Sequence, residues 1–500
     1  LGYVALKENT TGGNNTAIGL ATLCKNTTGS YNVAIGSETL NANTTGDRNI
    51  AVGDFAMYAN TTGSCNTALG NRALQRNISG CNNTAFGNQA LFGSLSGDHN
   101  FAAGQNALKV NWGGCYNTAI GSHALACNTT GGCNNALGFY TLVCNTEGQN
   151  NNAIGHQALY YNTTGEFNNA IGRKALMSNT TGDHNTAIGF CALMDSLSGD
   201  NNFAAGQCAL YSNYGGCHNT AIGYRALWCN TTGCENVAIG CETLRSNTDG
   251  YANVAIGHNA LCSNTTGLLN NAVGWRALYS NTTGCYNTAI GCDALVTNTT
   301  GNDNIAFGRC ALRYNTTGGR NLAMGVEAMQ SNTEGHYNQA LGYFALTNNT
   351  TGFHNNAIGY QALYGNTEGC WNTAIGTETL VTNTEGCYNT AIGKQAMYNN
   401  TEGDHNTGIG QCALKRNTTG CHNTALGNAA LECNTDGCYN TALGNKALYT
   451  SLSGDHNFAA GQCSLYSNYG GCQNIGIGYL ALKCNTTGSY NTGIGYAALC

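Results

Sequence analysis

No proline occurs in the 500 residues, and charged side chains make up only 9% of them, where roughly 25% is usual. Without proline, every residue keeps the backbone N–H that repeated strand pairing requires. The net charge of -6 leaves neither a basic patch for nucleic acid nor an acidic, solvating tail. No apolar run approaches the ~18 residues of a membrane-spanning helix, so no membrane insertion is expected in this segment. The opening "LGYVALKENT" lacks the charged-then-apolar order of a secretory leader. No two cysteines stand in a C-x-x-C spacing and the histidines are scattered, which argues against zinc. Calcium-binding "GGxGxD" nonapeptides are absent too. Glycine patterns such as "GIG" lack the following helix of a phosphate loop. No long irregular loop supplies the cleft that an enzyme needs. Accordingly no catalytic, metal-binding or cofactor-binding residue is assigned, and enzymatic activity is not expected.

What the chain has in quantity is glycine, 70 residues, and hydrophobic residues, 42%, enough to bury a core. These follow one rule. A phrase of the form "NTTGxxNTAIGxxALxx" opens at Asn9, Asn26, Asn43, Asn60 and Asn77 and recurs every 17 residues to Asn485, giving 29 starts without insertion or deletion. Three positions never vary: Gly12 to Gly488, Asn15 to Asn491, and Gly19 to Gly495. A period this short excludes a helical hairpin, and two glycines per copy supply tight corners. Segments such as "YNVAI" and "SETL" are long enough for two short strands per turn. The pattern therefore predicts an all-β parallel β-roll or β-solenoid of about 29 turns. It reads as one continuous array over residues 1–500, on the order of 140 Å long at about 4.8 Å per turn. The Asn15 column is expected to stack as an amide ladder, each side chain bonding the next. Leu1 and Cys500 both fall in mid-turn, which suggests a slice of a longer chain or filament.

A second phrase, "SLSGDHNFAAGQNAL", begins at Ser94, with near copies at Ser196 and Ser451. It replaces Thr16-Ala17-Ile18 by Phe101-Ala102-Ala103, a volume-conserving exchange of the kind packed cores tolerate. Positions two apart share a strand face, so Thr16 and Ile18 are expected in the core, joined by Leu23. The alanine between them, and the small residue beside the leucine (Ala56, Thr39), would then line a close approach. Two readings stand: an oligomer axis, or tight packing within one chain. The second phrase also brings Leu95 beside Trp112, Leu197 beside Tyr214, and Leu452 beside Tyr469, candidate patches for lateral contact.

Twenty-seven cysteines all occupy variable positions of the repeat. Cys217 and Cys234, Cys370 and Cys387, and Cys421 and Cys438 lie one turn apart, within the Cα range of a disulfide. Cys229 with Cys234, and Cys433 with Cys438, offer bridges across a corner instead. So many cysteines favour an oxidising, extracellular setting. Sixteen corners carry the N-x-S/T sequon: Asn9, Asn26, Asn43, Asn60, Asn77, Asn128, Asn162, Asn179, Asn230, Asn264, Asn281, Asn298, Asn315, Asn349, Asn417 and Asn485. They are candidate N-glycosylation sites, although corners reading "NTEG" and "NTDG" keep the asparagine without the sequon.

The residues Asn15, Thr16, Ala17, Ile18, Gly19, Ala56 and Leu23, with their equivalents, resemble the head repeats of trimeric autotransporter adhesins. They also look similar to 17-residue "NTAxGxxALxxNTTG" arrays of tail-fibre-like proteins from phages and giant viruses. The resemblance implies a left-handed parallel β-roll, usually trimeric, that serves as a passive fibre or adhesive surface. The expectation is an extracellular structural fibre that self-associates, as a homotrimer or a laterally or end-to-end joined filament. The alternatives are a module that binds glycan or protein along one face and, as a minor reading, an ice-binding solenoid.

Overall fold

The computed structural model describes residues 1–500 and is all-β, with no helix. A three-residue strand recurs every 17 residues and pairs in parallel with its neighbours, in unshifted register: Thr16 with Val33, Ala17 with Ala34, Ile18 with Ile35. Two compact units make up the chain, Leu1–Tyr251 and Ala252–Cys500, and each is a parallel β-solenoid of 17-residue turns. The first carries strands β1 (Thr16–Ile18) to β14 (Val237–Ile239), and the second β15 (Val254–Ile256) to β29 (Thr492–Ile494). Within each unit every strand bonds to the next along the chain, with no crossover.

Only one strand forms per turn, not two. The segment carrying the leucine bonds from turn to turn but departs from β geometry. Glu38 N–H donates back to Leu20 O at 2.8 Å, and Leu40 N–H donates forward to Ala56 O at 3.0 Å. Both residues have left-handed φ, +55° and +51°. That conformation costs a non-glycine residue about 1–2 kcal/mol, and it persists because the surrounding structure over-determines it. Here the bonds to the neighbouring turns and the full burial of Leu40 supply the constraint.

The strand faces are the reverse of the expected assignment. In β2 (Val33–Ile35) the central Ala34 is fully buried, while Val33 and Ile35 face outward. Thr16 and Ile18 likewise lie outside. The interior is filled by the alanine column, the leucine column, the small residue beside the leucine and two asparagine columns, nearly all without exposure. The space is narrow. At Gly408, which replaces the strand alanine, an added Cβ would lie 3.1 Å from Met397 Cε and 3.4 Å from Ala413 O. A methyl group is therefore the largest side chain this column admits, which explains the strand alanines by packing within one chain. The Phe/Ala exchange lies on the outer face, where Phe101 meets Phe86 edge-on, ring centroids 6.0 Å apart. Volume is conserved there without enclosure, so the inference from volume to core fails.

Both asparagine columns form ladders. Asn32 Nδ2 donates to Gly46 O at 2.9 Å, and its backbone N–H donates to Asn15 Oδ1 at 2.9 Å. In the corner column, Asn43 Nδ2 donates to Asn26 Oδ1 at 2.7 Å and to Gly46 O at 3.0 Å. These bonds satisfy polar groups that would otherwise be buried at a cost of about 1–3 kcal/mol each. The two glycine columns answer different needs. Gly19 and Gly36 take φ of +138° and +131°, which glycine alone adopts readily. The Gly12 column has no such φ. At Gly29 a Cβ would stand 2.5 Å from Gly46 O and 2.6 Å from Asn26 Oδ1, so close approach, not backbone conformation, demands glycine.

Candidate interaction surface

The outward strand positions form two parallel columns along each unit. The third strand residue is apolar in every strand, and the first is never charged. Their side chains stand about 4.8 Å apart along the sheet. Ile154 is 37% and Leu137 45% exposed, so each unit presents an uninterrupted apolar ridge. Soluble monomers seldom expose contiguous apolar patches beyond a few hundred Å². The ridge has a signal in the sequence, a third strand position that is always apolar and mostly Ile, Leu or Val, but apolarity alone fits an interior column equally well.

Beside the first column runs the variable residue that precedes the invariant asparagine. In the second unit it builds a stack of eight rings: Tyr337, His354, Trp371, Tyr388, His405, His422, Tyr439 and His456. Successive centroids lie 4.0 to 6.3 Å apart and the planes stay within 20° of parallel. Arg320 caps the first ring, its Cζ 5.3 Å from the Tyr337 centroid. Sequence reading missed this stack; aromatic and histidine residues recurring at a spacing of 17 were the signal.

The second phrase breaks the corner ladder. Ser94, Ser196 and Ser451 occupy the asparagine position, fully buried. Their hydroxyls, and the Oδ1 atoms of Asn77, Asn179 and Asn434 one turn earlier, have no hydrogen-bond partner. Of the lateral-contact candidates, Trp112, Leu197, Tyr214, Leu452 and Tyr469 are exposed and Leu95 is half-buried. The backbone aligns them one turn apart: Ser96 N–H donates to Trp112 O at 3.1 Å, and Leu452 N–H to Tyr469 O at 3.1 Å.

No disulfide joins any of the 27 cysteines, so the expected bridges do not form. The one-turn pairs share N–H···S bonds: Cys217 N–H to Cys234 Sγ at 3.2 Å, Cys370 to Cys387 at 3.1 Å, Cys421 to Cys438 at 3.2 Å. Burial pushes the thiols of Cys370, Cys438, Cys229 and Cys433 up from the ordinary range, which keeps them protonated and slow as nucleophiles. The corner partners are held elsewhere: Cys229 N–H bonds to Arg245 O and Cys433 N–H to Tyr449 O.

Fourteen of the sixteen sequon asparagines are fully buried; Asn9 and Asn485 are half-buried. Asn60 Nδ2, for example, donates at 2.8 Å to Asn43 Oδ1 and at 2.9 Å to Gly63 O. A glycan on that nitrogen would remove a ladder donor and demand space inside the coil. The corner asparagines serve the ladder, which is why "NTEG" corners keep them too.

No family model matches the chain, and no curated protein matches it.

Proposed function

We propose that this chain is a structural element of an extracellular fibre, joined laterally to further copies of itself through the outward strand face. The observation that carries the reading is the apolar column that recurs in every strand. A partner must match its spacing over many turns to cover it, and another copy of the same repeat does so by construction. Burying such a ridge removes apolar surface from water at roughly 25 cal/mol per Å². The resemblance to trimeric adhesin heads supports a three-chain arrangement, and the patches at Trp112, Tyr214 and Tyr469 would add contacts at the corners.

The triple substitution Ile375→Lys, Ile392→Lys, Ile409→Lys places three charges on the outward face and leaves the interior intact. Sedimentation velocity should show assemblies for the parent chain and monomers for the variant, with matching circular dichroism. A parent chain that stays monomeric at tens of micromolar would reject lateral association. Mass per unit length of the assembled particle separates one chain from three.

A second reading has one observation in its favour. Thr373, Thr390, Thr407, Thr424 and Thr441 line up outward in five successive strands beside Ile or Leu, a regular flat array suited to ice. Thermal hysteresis that disappears on Thr407→Lys would support it, and its absence in the parent chain would remove it.

A further inference from the structure

The second unit carries a cleft of about 530 Å³ lined by Trp275, Arg276, Tyr314, Arg313 and Asn259. Charge is scarce in this chain, yet three charged groups converge here. Asp293 is 6% exposed. Its Oδ1 lies 3.0 Å from Arg276 Nε, and its Oδ2 3.5 Å from Arg313 Nη2. Each guanidinium also leans on an aromatic ring: Arg276 Cζ is 4.5 Å from the Trp275 centroid, and Arg313 Cζ 5.3 Å from that of Tyr314. Two arginines against one carboxylate leave a single positive charge in excess.

Apart from Arg276 Nε and Asp293 Oδ1, which face each other as an ion pair, two buried groups in the cleft wall lack hydrogen-bond partners: the donor Arg313 Nε and the acceptor Asn259 Oδ1. Buried polar groups of this kind are ordinarily satisfied. A ligand that meets both must bring an acceptor, negatively charged to match the excess charge, and a donor. It must also present a ring-sized body to the aromatic walls. We propose that this cleft binds a carboxylated sugar, of the uronic-acid class. Its carboxylate takes the guanidinium fork of Arg313, a geometry suited to planar anions. A ring hydroxyl donates to Asn259 Oδ1, and the sugar's C–H face rests on Trp275 or Tyr314. A dianionic phosphate fits less well, since its second charge would face Asp293. An aromatic carboxylate supplies the anion and the flat body but no hydroxyl donor. No ridge residue lines the cleft, so the proposal is tested independently of lateral association.

The test is isothermal titration of the full chain with tetragalacturonate, a neutral galactose tetramer and benzoate. Tetragalacturonate should bind at least tenfold more tightly than either comparison ligand. Arg313→Gln should weaken it tenfold or more, and Asn259→Leu should narrow its advantage over benzoate. Arg313→Lys keeps the charge but loses the fork; it should still weaken binding several-fold, and it serves as the readout if Arg313→Gln fails to fold. Undetectable binding of tetragalacturonate, equal binding of the neutral sugar, or affinity unchanged in both Arg313 variants would overturn the proposal.

Discussion

A single asparagine in this coil does two jobs, accepting from one neighbouring turn and donating to its own corner glycine. Serine is too short to span the gap, so each Ser copy leaves its own hydroxyl and the preceding Oδ1 unpartnered. Ser94→Asn should close the ladder between Asn77 and Asn111. At about 1 kcal/mol for each hydrogen bond regained, the variant should unfold at higher denaturant than the parent. An unchanged or lower midpoint would mean that the site has adapted to serine. The ladder itself was legible in the sequence, because an invariant asparagine at a fixed spacing has few other physical meanings. Its interruption was not, since serine is also an ordinary corner residue and only burial shows that its hydroxyl is stranded.

At the scale of the element, the strand is so short that one face consists of a single residue. Its alanine packs against the leucine column, and the two flanking residues look outward. Leu159 and Ile154, in the same turn, separate the two environments. Leu159→Ala removes a fully buried side chain and should cost about 2–5 kcal/mol, the range for large-to-small core substitutions. Ile154→Ser, on the outer face, should cost less than about 1 kcal/mol in the unassembled chain, in keeping with surface substitutions. Denaturant unfolding, with hydrogen exchange to catch local opening of single turns, measures both. The reversal of these two magnitudes would restore the opposite face assignment. That assignment could not be reached from alternation alone, because period two says which residues share a face and not which face is covered. The Ile-rich column was apolar enough to resemble a core, and the alanine column small enough to resemble an interface. The leucine segment misled for a related reason: its apolar spacing suits a strand, whereas left-handed residues such as Glu38 and Leu40 carry no compositional mark.

For the molecule as a whole, stability rests on many similar turns, and the buried thiols tie it to pH. Burial is the largest cause of the raised pKa at Cys144, Cys191, Cys208, Cys229, Cys310, Cys370, Cys412, Cys433 and Cys438. The folded chain therefore holds protons that the unfolded chain releases first. Stability from these groups is complete below the ordinary thiol pKa of about 8.5 and is lost as pH rises through their higher folded values. Unfolding midpoints should be flat from pH 6 to 8 and fall above about pH 9. Substituting serine at Cys370, Cys433 and Cys438 should make that fall shallower; an equal slope would place the alkaline sensitivity in the tyrosines instead.

The amino-acid sequence by itself determined the period, the parallel stacking, the need for glycine at two positions and the asparagine ladder. Each of these is a constraint that every turn imposes on the next, so repetition alone exposes it. The tertiary structure decided which side of the strand is inside, which corner asparagines are enclosed, and which variable residues meet across turns as a ring stack or a charged cleft. Those depend on the width of the coil: it closes around a methyl group opposite a leucine, leaving no room for Thr16 or Ile18 within.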